Sequence, residues 1–318
     1  MIVTRRLPAP VEVRLAELFD VHLNPDDVPF APAALVDAMR AADGLLVTVT
    51  DRIDAATLRA EPRRAGILAN FGVGHDHIDL GAAAECGVVV TNTPGVLTDD
   101  TADLAMALLL AVMRRVGEGE RHVRSRGWSG WRPTHMLGTR VTGATLGIVG
   151  MGRIGRAVAA RAHRGFGMRI RFHQPTPVDP AGLAGLDAIR CDSLEELLAT
   201  SDAVSLHCPA TPATRRLIDA SRLSLMRAGA VLINTARGDI VDEAALARAL
   251  AAGTIAGAGL DVYADEPRVA PELLALENVV LLPHLGSATG AARLAMGHRA
   301  VDNLVTFLAG REAPDRLV

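Results

Sequence analysis

The sequence predicts an α/β protein of two domains, each built on a doubly wound parallel sheet. Three observations carry this. Short apolar runs alternate with amphipathic helical segments along the chain. A glycine motif, Gly150-Met151-Gly152-Arg153-Ile154-Gly155, follows the apolar run 145–149 and opens the amphipathic segment 153–166. Hydrophobic residues make up 49% of the chain but aromatics only 3%. The core is therefore made of Ala, Val, Leu and Ile, which suits helices packed over a buried parallel sheet. At 318 residues the chain has room for about two domains of ~150 residues.

In order, residues 45–50, 66–70 and 88–91 read as strands, with helices at 32–42 and 78–85 between them. Asn92-Thr93-Pro94-Gly95 is a turn signal. Thr98 or Asp99 then caps a long helix running through Asp103 and Leu104 to about Glu118. Segment 126–139 reads as a loop and carries both tryptophans, Trp128 and Trp131. A second α/β unit begins near Val141, with parallel strands expected at 145–149, 169–172, 203–206, 230–234, 257–261 and 279–282. A final helix, 291–309, has no strand after it and is expected to return to the first domain. The expected division is thus 1–100 with 287–318, and an inserted 101–286, with the ligand cleft between them.

The glycine motif has the order that a dinucleotide pyrophosphate needs. Gly150 permits the tight turn, Gly152 lets the backbone approach phosphate, and Gly155 lets the helix pack against the strand. Arg153 and Ile154 open the helix, whose N-terminus offers free N–H groups and partial positive charge to an anion. Other classes fit poorly. Net charge is -3 with both signs interspersed, so nucleic acid is not an expected partner. The longest apolar candidate, 104–113, is shorter than the ~18 residues that span a bilayer, and no signal peptide is read before the first strand-like run. Cys86, Cys191 and Cys208 have neither metal-ligand nor disulfide spacing. Buried reduced thiols, no metal and a cytoplasmic location are the expectation.

Three polar clusters lie at expected strand ends, where a doubly wound sheet lines its ligand crevice. They are Asn234-Thr235-Ala236-Arg237-Gly238, Asp261-Val262-Tyr263-Ala264-Asp265-Glu266-Pro267 and Leu282-Pro283-His284-Leu285-Gly286-Ser287. Taken alone, Arg237 reads more readily as a surface or ion-pair residue and Glu266 as a solvated loop charge, while His284 reads equally well as a turn residue or a functional group. Together, beside a nucleotide motif, they suit hydride transfer to a 2-oxo acid. Arg237 would hold the substrate carboxylate as a bidentate pair, His284 would act as general acid/base, and Glu266 would orient the imidazole and favour its charged form.

These segments, with Ala288-Thr289, resemble the D-isomer-specific 2-hydroxyacid dehydrogenases, nearest to the glyoxylate and hydroxypyruvate reductases, over almost the whole chain. The resemblance implies two Rossmann-like or flavodoxin-like domains, with the NAD(P)-binding domain inserted in a discontinuous substrate domain. It implies catalytic roles for Arg237, Glu266 and His284, and a short 2-oxo acid such as glyoxylate or hydroxypyruvate reduced to a D-2-hydroxy acid. Segment 70–79 looks like the substrate loop, where the N–H groups of Val73 and Gly74 bind the carboxylate. His207-Cys208-Pro209 and Thr214 resemble the segment beside the nicotinamide ribose and phosphates. Asp261 looks like the residue that meets the nicotinamide amide, and Thr101, Thr235, Ala236 and Gly286 join the cofactor set. Trp128 to Gly138 is similar to a loop that reaches the partner's active site in a homodimer. Trp131 either caps the substrate there or, with Trp128, only fills the interface. The same fold also serves as an NAD(H)-sensing transcriptional corepressor, the alternative reading.

One departure concerns cofactor choice. NAD-specific members carry an acid after the second strand, hydrogen-bonded to the ribose. Here that position holds Gln174, and the first acid is Asp179. The arginine that NADP-preferring relatives place next is replaced by Pro175 and Thr176. Either NAD or NADP is therefore expected, with weak discrimination and NADP use allowed.

Overall fold

The structure is a computed structural model that describes residues 1–318. It divides into two compact units, Met1–Leu97 with Ala288–Val318, and Thr98–Ser287. The first cut falls at Leu97 because Thr98–Met113 is one helix that packs on the sheet of the second unit. Residues 98–100, assigned by sequence to the first domain, form its first turn.

The first unit holds four parallel strands in sequential order: β1 (Ile2–Val3), β2 (Gly44–Val47), β3 (Ile67–Asn70) and β4 (Val89–Thr91). His22 bridges Ile2 in parallel on the other side of β1. Counting that segment gives the flavodoxin-like order 2-1-3-4-5. Every residue of β2 and β3 is buried, the continuous apolar signature of a strand covered on both faces. The C-terminal helix Gly290–Leu308 returns to this unit and packs on β3 and on the Ala9–Leu18 helix. The hydroxyl of Thr289 caps it by accepting from Ala292 N at 3.1 Å.

The second unit contains seven parallel strands: β5 (Thr145–Val149), β6 (Arg169–His173), β7 (Ile189–Arg190), β8 (Ala203–Leu206), β9 (Val231–Asn234), β10 (Gly257–Leu260) and β11 (Val279–Leu281). Their order, β11-β10-β9-β8-β5-β6-β7, is the dinucleotide-binding 3-2-1-4-5-6 arrangement with one added edge strand. Six strands are legible in the sequence. β7 is not, because it has two residues, both exposed, and so no apolar run. The chain leaves β5 toward β6 and later returns to its other side at β8, so the C-terminal end of β5 is the topological switch point.

The helix expected to reach Glu118 instead stops at Met113. Arg115 takes a left-handed conformation, φ 54°, and a second helix, Val116–Arg124, follows. The break is held by the returning loop, where Thr139 N donates to the Met113 carbonyl at 2.7 Å. A Cβ on neighbouring Gly138 would fall 2.6 Å from that oxygen, so only glycine permits the approach.

Candidate active site

The glycine turn sits at the switch point. Gly150 has φ 93°, and a Cβ there would lie 2.8 Å from Cys208 N. A Cβ on Gly155 would run into the Gly150 carbonyl. Gly152 is different, since open space surrounds its Cβ position. It caps the Arg153–Phe166 helix without a side chain, so no side chain covers the N–H groups of the first turn. Arg153 is exposed and Ile154 half-buried. Open space, uncovered N–H groups and the dipole of a 14-residue helix fit a dinucleotide pyrophosphate.

Gln174 stands just past β6. Its Oε1 accepts from Met151 N at 2.8 Å, and its Nε2 donates to the Thr176 carbonyl at 3.0 Å. The carboxamide thereby ties the glycine turn to the β6 end. After β8, His207 N donates to the Val149 carbonyl at 2.8 Å, which lays Cys208 against Gly150. Burial pushes the Cys208 thiol up to about 11, so it stays protonated at neutral pH. Burial likewise pushes the His207 imidazole down to about 4. The Thr214 hydroxyl donates to the Pro209 carbonyl at 2.6 Å and accepts from Thr211 N at 2.8 Å, stapling its own loop.

The polar clusters at the ends of β9, β10 and β11 come together. Asn234 wraps the β9 turn: Oδ1 accepts from Ala236 N at 3.0 Å, and Nδ2 donates to the Arg237 carbonyl at 2.8 Å. Thr235 Oγ1 is buried with no partner in the chain, which fits a bound polar group at this strand end. Gly238 passes directly under the Tyr263–Ala264 backbone, with no room for a Cβ. His284 Nδ1 meets Glu266 Oε2 at 2.8 Å, with the two side chains 31% and 32% exposed. A carboxylate only accepts, so Nδ1 carries the proton and Nε2 is the nitrogen left for a substrate. Glu266 Oε1 accepts from Tyr263 N at 3.0 Å. Burial pushes the Glu266 carboxyl up, but the His284 bond and charge, the Tyr263 N–H and the Arg237 charge outweigh it and hold it below the usual range.

Asp261 is fully buried, and its carboxylate accepts from Leu285 N at 2.6 Å and Gly286 N at 2.8 Å. Burial pushes its carboxyl up, opposed by those N–H groups and by the His284 charge. Thr101 Oγ1 donates to the Gly286 carbonyl at 3.0 Å, anchoring the same turn from the Thr98–Met113 helix.

The sequence profile described as the NAD-binding domain of D-isomer-specific 2-hydroxyacid dehydrogenases matches residues 106–286. The chain belongs to the D-isomer-specific 2-hydroxyacid dehydrogenases. It is 45% identical to the glyoxylate reductase of Thermococcus litoralis over 324 residues, covering 100% of this chain and 96% of that one. It is 48% identical to a Thermus thermophilus protein of known structure, with a TM-score of 0.90 and coverage of 100% and 99%. It is also 38% identical, with a TM-score of 0.88 and coverage of 100% and 96%, to an NADPH-dependent glyoxylate/hydroxypyruvate reductase of Sinorhizobium meliloti in complex with NADP and malonate.

This NAD(P)-dependent dehydrogenase carries its substrate-loop candidates in the other unit. At the end of β3, Asn70 Nδ2 donates to the Gly74 carbonyl at 2.8 Å, and Asn92 Nδ2 donates to the Val73 carbonyl at 2.9 Å. The Val73 and Gly74 N–H groups have no acceptor in the chain. Trp131 is 81% exposed, on a loop without regular structure. Of the cysteines only Cys191 is fully buried; Cys86 and Cys208 are half-buried, so the expectation of three buried thiols holds for one of them. No helix is long and apolar enough to cross a membrane.

Sequence reasoning missed Tyr263 and Glu243. The Tyr263 hydroxyl reaches the Leu282 carbonyl at 2.9 Å and the Leu260 carbonyl at 3.3 Å, tying the strand ends that carry Glu266 and His284. Glu243 Oε1 accepts from Ala264 N at 2.8 Å and braces the same loop. The available signal was a single tyrosine, the chain's only one, inside the acidic cluster.

Proposed function

We propose that this dehydrogenase reduces glyoxylate, hydroxypyruvate or a similar short 2-oxo acid to the D-2-hydroxy acid. The observation that carries this reading is the 2.8 Å Glu266–His284 pair with Arg237 at the adjacent strand end. Arg237 binds the substrate carboxylate and polarises the carbonyl. The Val73 and Gly74 N–H groups take a carboxylate oxygen. When bound, the reduced nicotinamide supplies the hydride to the carbonyl carbon. His284 Nε2 gives its proton to the oxygen as charge develops there, and Glu266 stabilises the imidazolium before transfer. In the reverse direction neutral His284 takes the hydroxyl proton. His207, held neutral by burial, does not compete for this role in the physiological range.

The cofactor set comprises the glycine turn, Gln174, Cys208, Pro209, Thr214, Thr235, Ala236, Asp261, Gly286 and Thr101. The division of labour assigns substrate to the first unit and cofactor to the second. A cytoplasmic homodimer, with Trp131 and its loop meeting a second copy, completes the reading. The deciding experiment is a cofactor-oxidation screen over glyoxylate, hydroxypyruvate, pyruvate, phenylpyruvate and 2-keto-gluconate with NADH and NADPH. Turnover is expected to be highest with glyoxylate or hydroxypyruvate. Nicotinamide binding without turnover on any of them would favour the corepressor-like alternative.

A further inference from the structure

The position beside the β6 end lacks an acid, and the residues that directly follow it, Pro175 and Thr176, carry no charge. Tertiary structure brings a charge there from elsewhere. Arg190, the last residue of β7, pairs in register with Phe172 of β6. Its side chain extends past that register, and Nη2 donates to the Gln174 carbonyl at 3.0 Å. One N–H of five is used, and the partner is a carbonyl rather than a carboxylate, so the guanidinium keeps its net charge and its remaining donors.

The surrounding charges point the same way. Exposed Arg153 opens the helix at the glycine turn, and Arg156 one turn on leans on the Gly152 carbonyl at 3.3 Å. Arg171 is matched by Glu196 at 3.2 Å and adds nothing. Asp179, the first acid after Gln174, turns its carboxylate to Ala181 N at 3.0 Å as the cap of a short helical turn. Gln174 keeps its carboxamide on Met151 and Thr176. The edge where an adenosine ribose meets the β6 end is therefore cationic.

We propose that Arg190, with Arg153, forms a subsite for the 2′-phosphate of the dinucleotide, which makes NADP(H) the preferred cofactor and Arg190 the residue that sets the preference. This rests on the reading of the glycine turn as the dinucleotide site. It replaces the weak discrimination expected from the sequence, where Arg190 stands 16 residues after Gln174 and cannot be recognised as its neighbour.

The test is calorimetric binding of NADP⁺, NAD⁺ and 2′,5′-ADP to the enzyme without substrate. The wild type should bind NADP⁺ at least about tenfold tighter than NAD⁺, and bind 2′,5′-ADP in a salt-dependent way. Arg190→Ala should bring that ratio below about threefold by weakening NADP⁺ alone, and Arg190→Lys should keep part of it. Because Arg190 is exposed, both variants should melt with the wild type. A wild type that binds both dinucleotides equally, or an Arg190→Ala ratio equal to the wild type's, would overturn the assignment while leaving the dinucleotide site intact. Binding of neither dinucleotide would overturn both.

Discussion

Asp261 holds His284 in a left-handed conformation. His284 has φ 55°, a region that a non-glycine residue enters only at a cost of about 1 kcal/mol or more. The Asp261 carbonyl accepts from His284 N at 2.9 Å, and its two carboxylate oxygens take the next two N–H groups. Three consecutive backbone donors therefore converge on one residue at the end of β10. In this conformation the His284 ring meets Glu266 at 2.8 Å, and the three bonds to Asp261 offset the cost of the turn.

Removal of that carboxylate leaves two N–H groups of the turn without partners. Asp261→Ala should destabilise the protein by about 1–3 kcal/mol and lower turnover as well. Urea unfolding checks the first effect. A variant as stable as the wild type would show that water replaces the carboxylate and that the turn does not depend on it.

His284→Ala should lower kcat by about 10²–10⁴, the usual worth of general acid/base assistance, with dinucleotide affinity nearly unchanged. Steady-state kinetics beside fluorescence titration of NADPH separates the two. Wild-type turnover in this variant would remove His284 from the chemistry.

Arg237→Lys should raise KM for the 2-oxo acid far more than it changes cofactor affinity, because a point charge cannot reproduce a planar fork. Initial rates across substrate concentration check this; an unchanged KM would place the substrate carboxylate elsewhere.

Glu266 lies lower in the folded enzyme than the ~4.3 of an unfolded glutamate, since its bonds to His284 and Tyr263 outweigh burial. A lowered carboxyl stabilises the fold above the unfolded value, and that contribution is lost as pH falls through the folded one. Glu266→Gln should therefore melt below the wild type at pH 6, and the gap should narrow as pH falls below the unfolded value. A gap that does not narrow in acid would mean that the pair's charge plays no part.

Two glycines of the turn should respond oppositely to alanine. Gly155→Ala drives a methyl into the Gly150 carbonyl and should destabilise the fold. Gly152→Ala meets nothing within 4 Å in the chain, so its melting temperature should stay near wild type. Its dinucleotide affinity should nevertheless fall at least about tenfold, because the methyl occupies the approach of the phosphates. Thermal melts paired with NADPH titration read both effects.

Much of this enzyme is local in its sequence. The fold class follows from continuous apolar strands alternating with amphipathic helices, a pattern set by backbone periodicity. The glycine turn and the clusters around Arg237, Glu266 and His284 are contiguous motifs, so their candidate roles can be read without coordinates. Elements lacking their own apolar signal cannot. β7 is two exposed residues, and the break at Arg115 depends on a loop arriving from Gly138 and Thr139. The clamp of Asp261 on the His284 turn spans up to 25 residues. The tie from Tyr263 to Leu282 spans 19, and the reach of Arg190 to Gln174 spans 16. Sequence alone determined which residues are available for the chemistry. Tertiary structure decided which strand ends adjoin, and through that the strain at His284 and the charge beside Gln174, because parallel strands bring together ends that the intervening helices keep far apart along the chain.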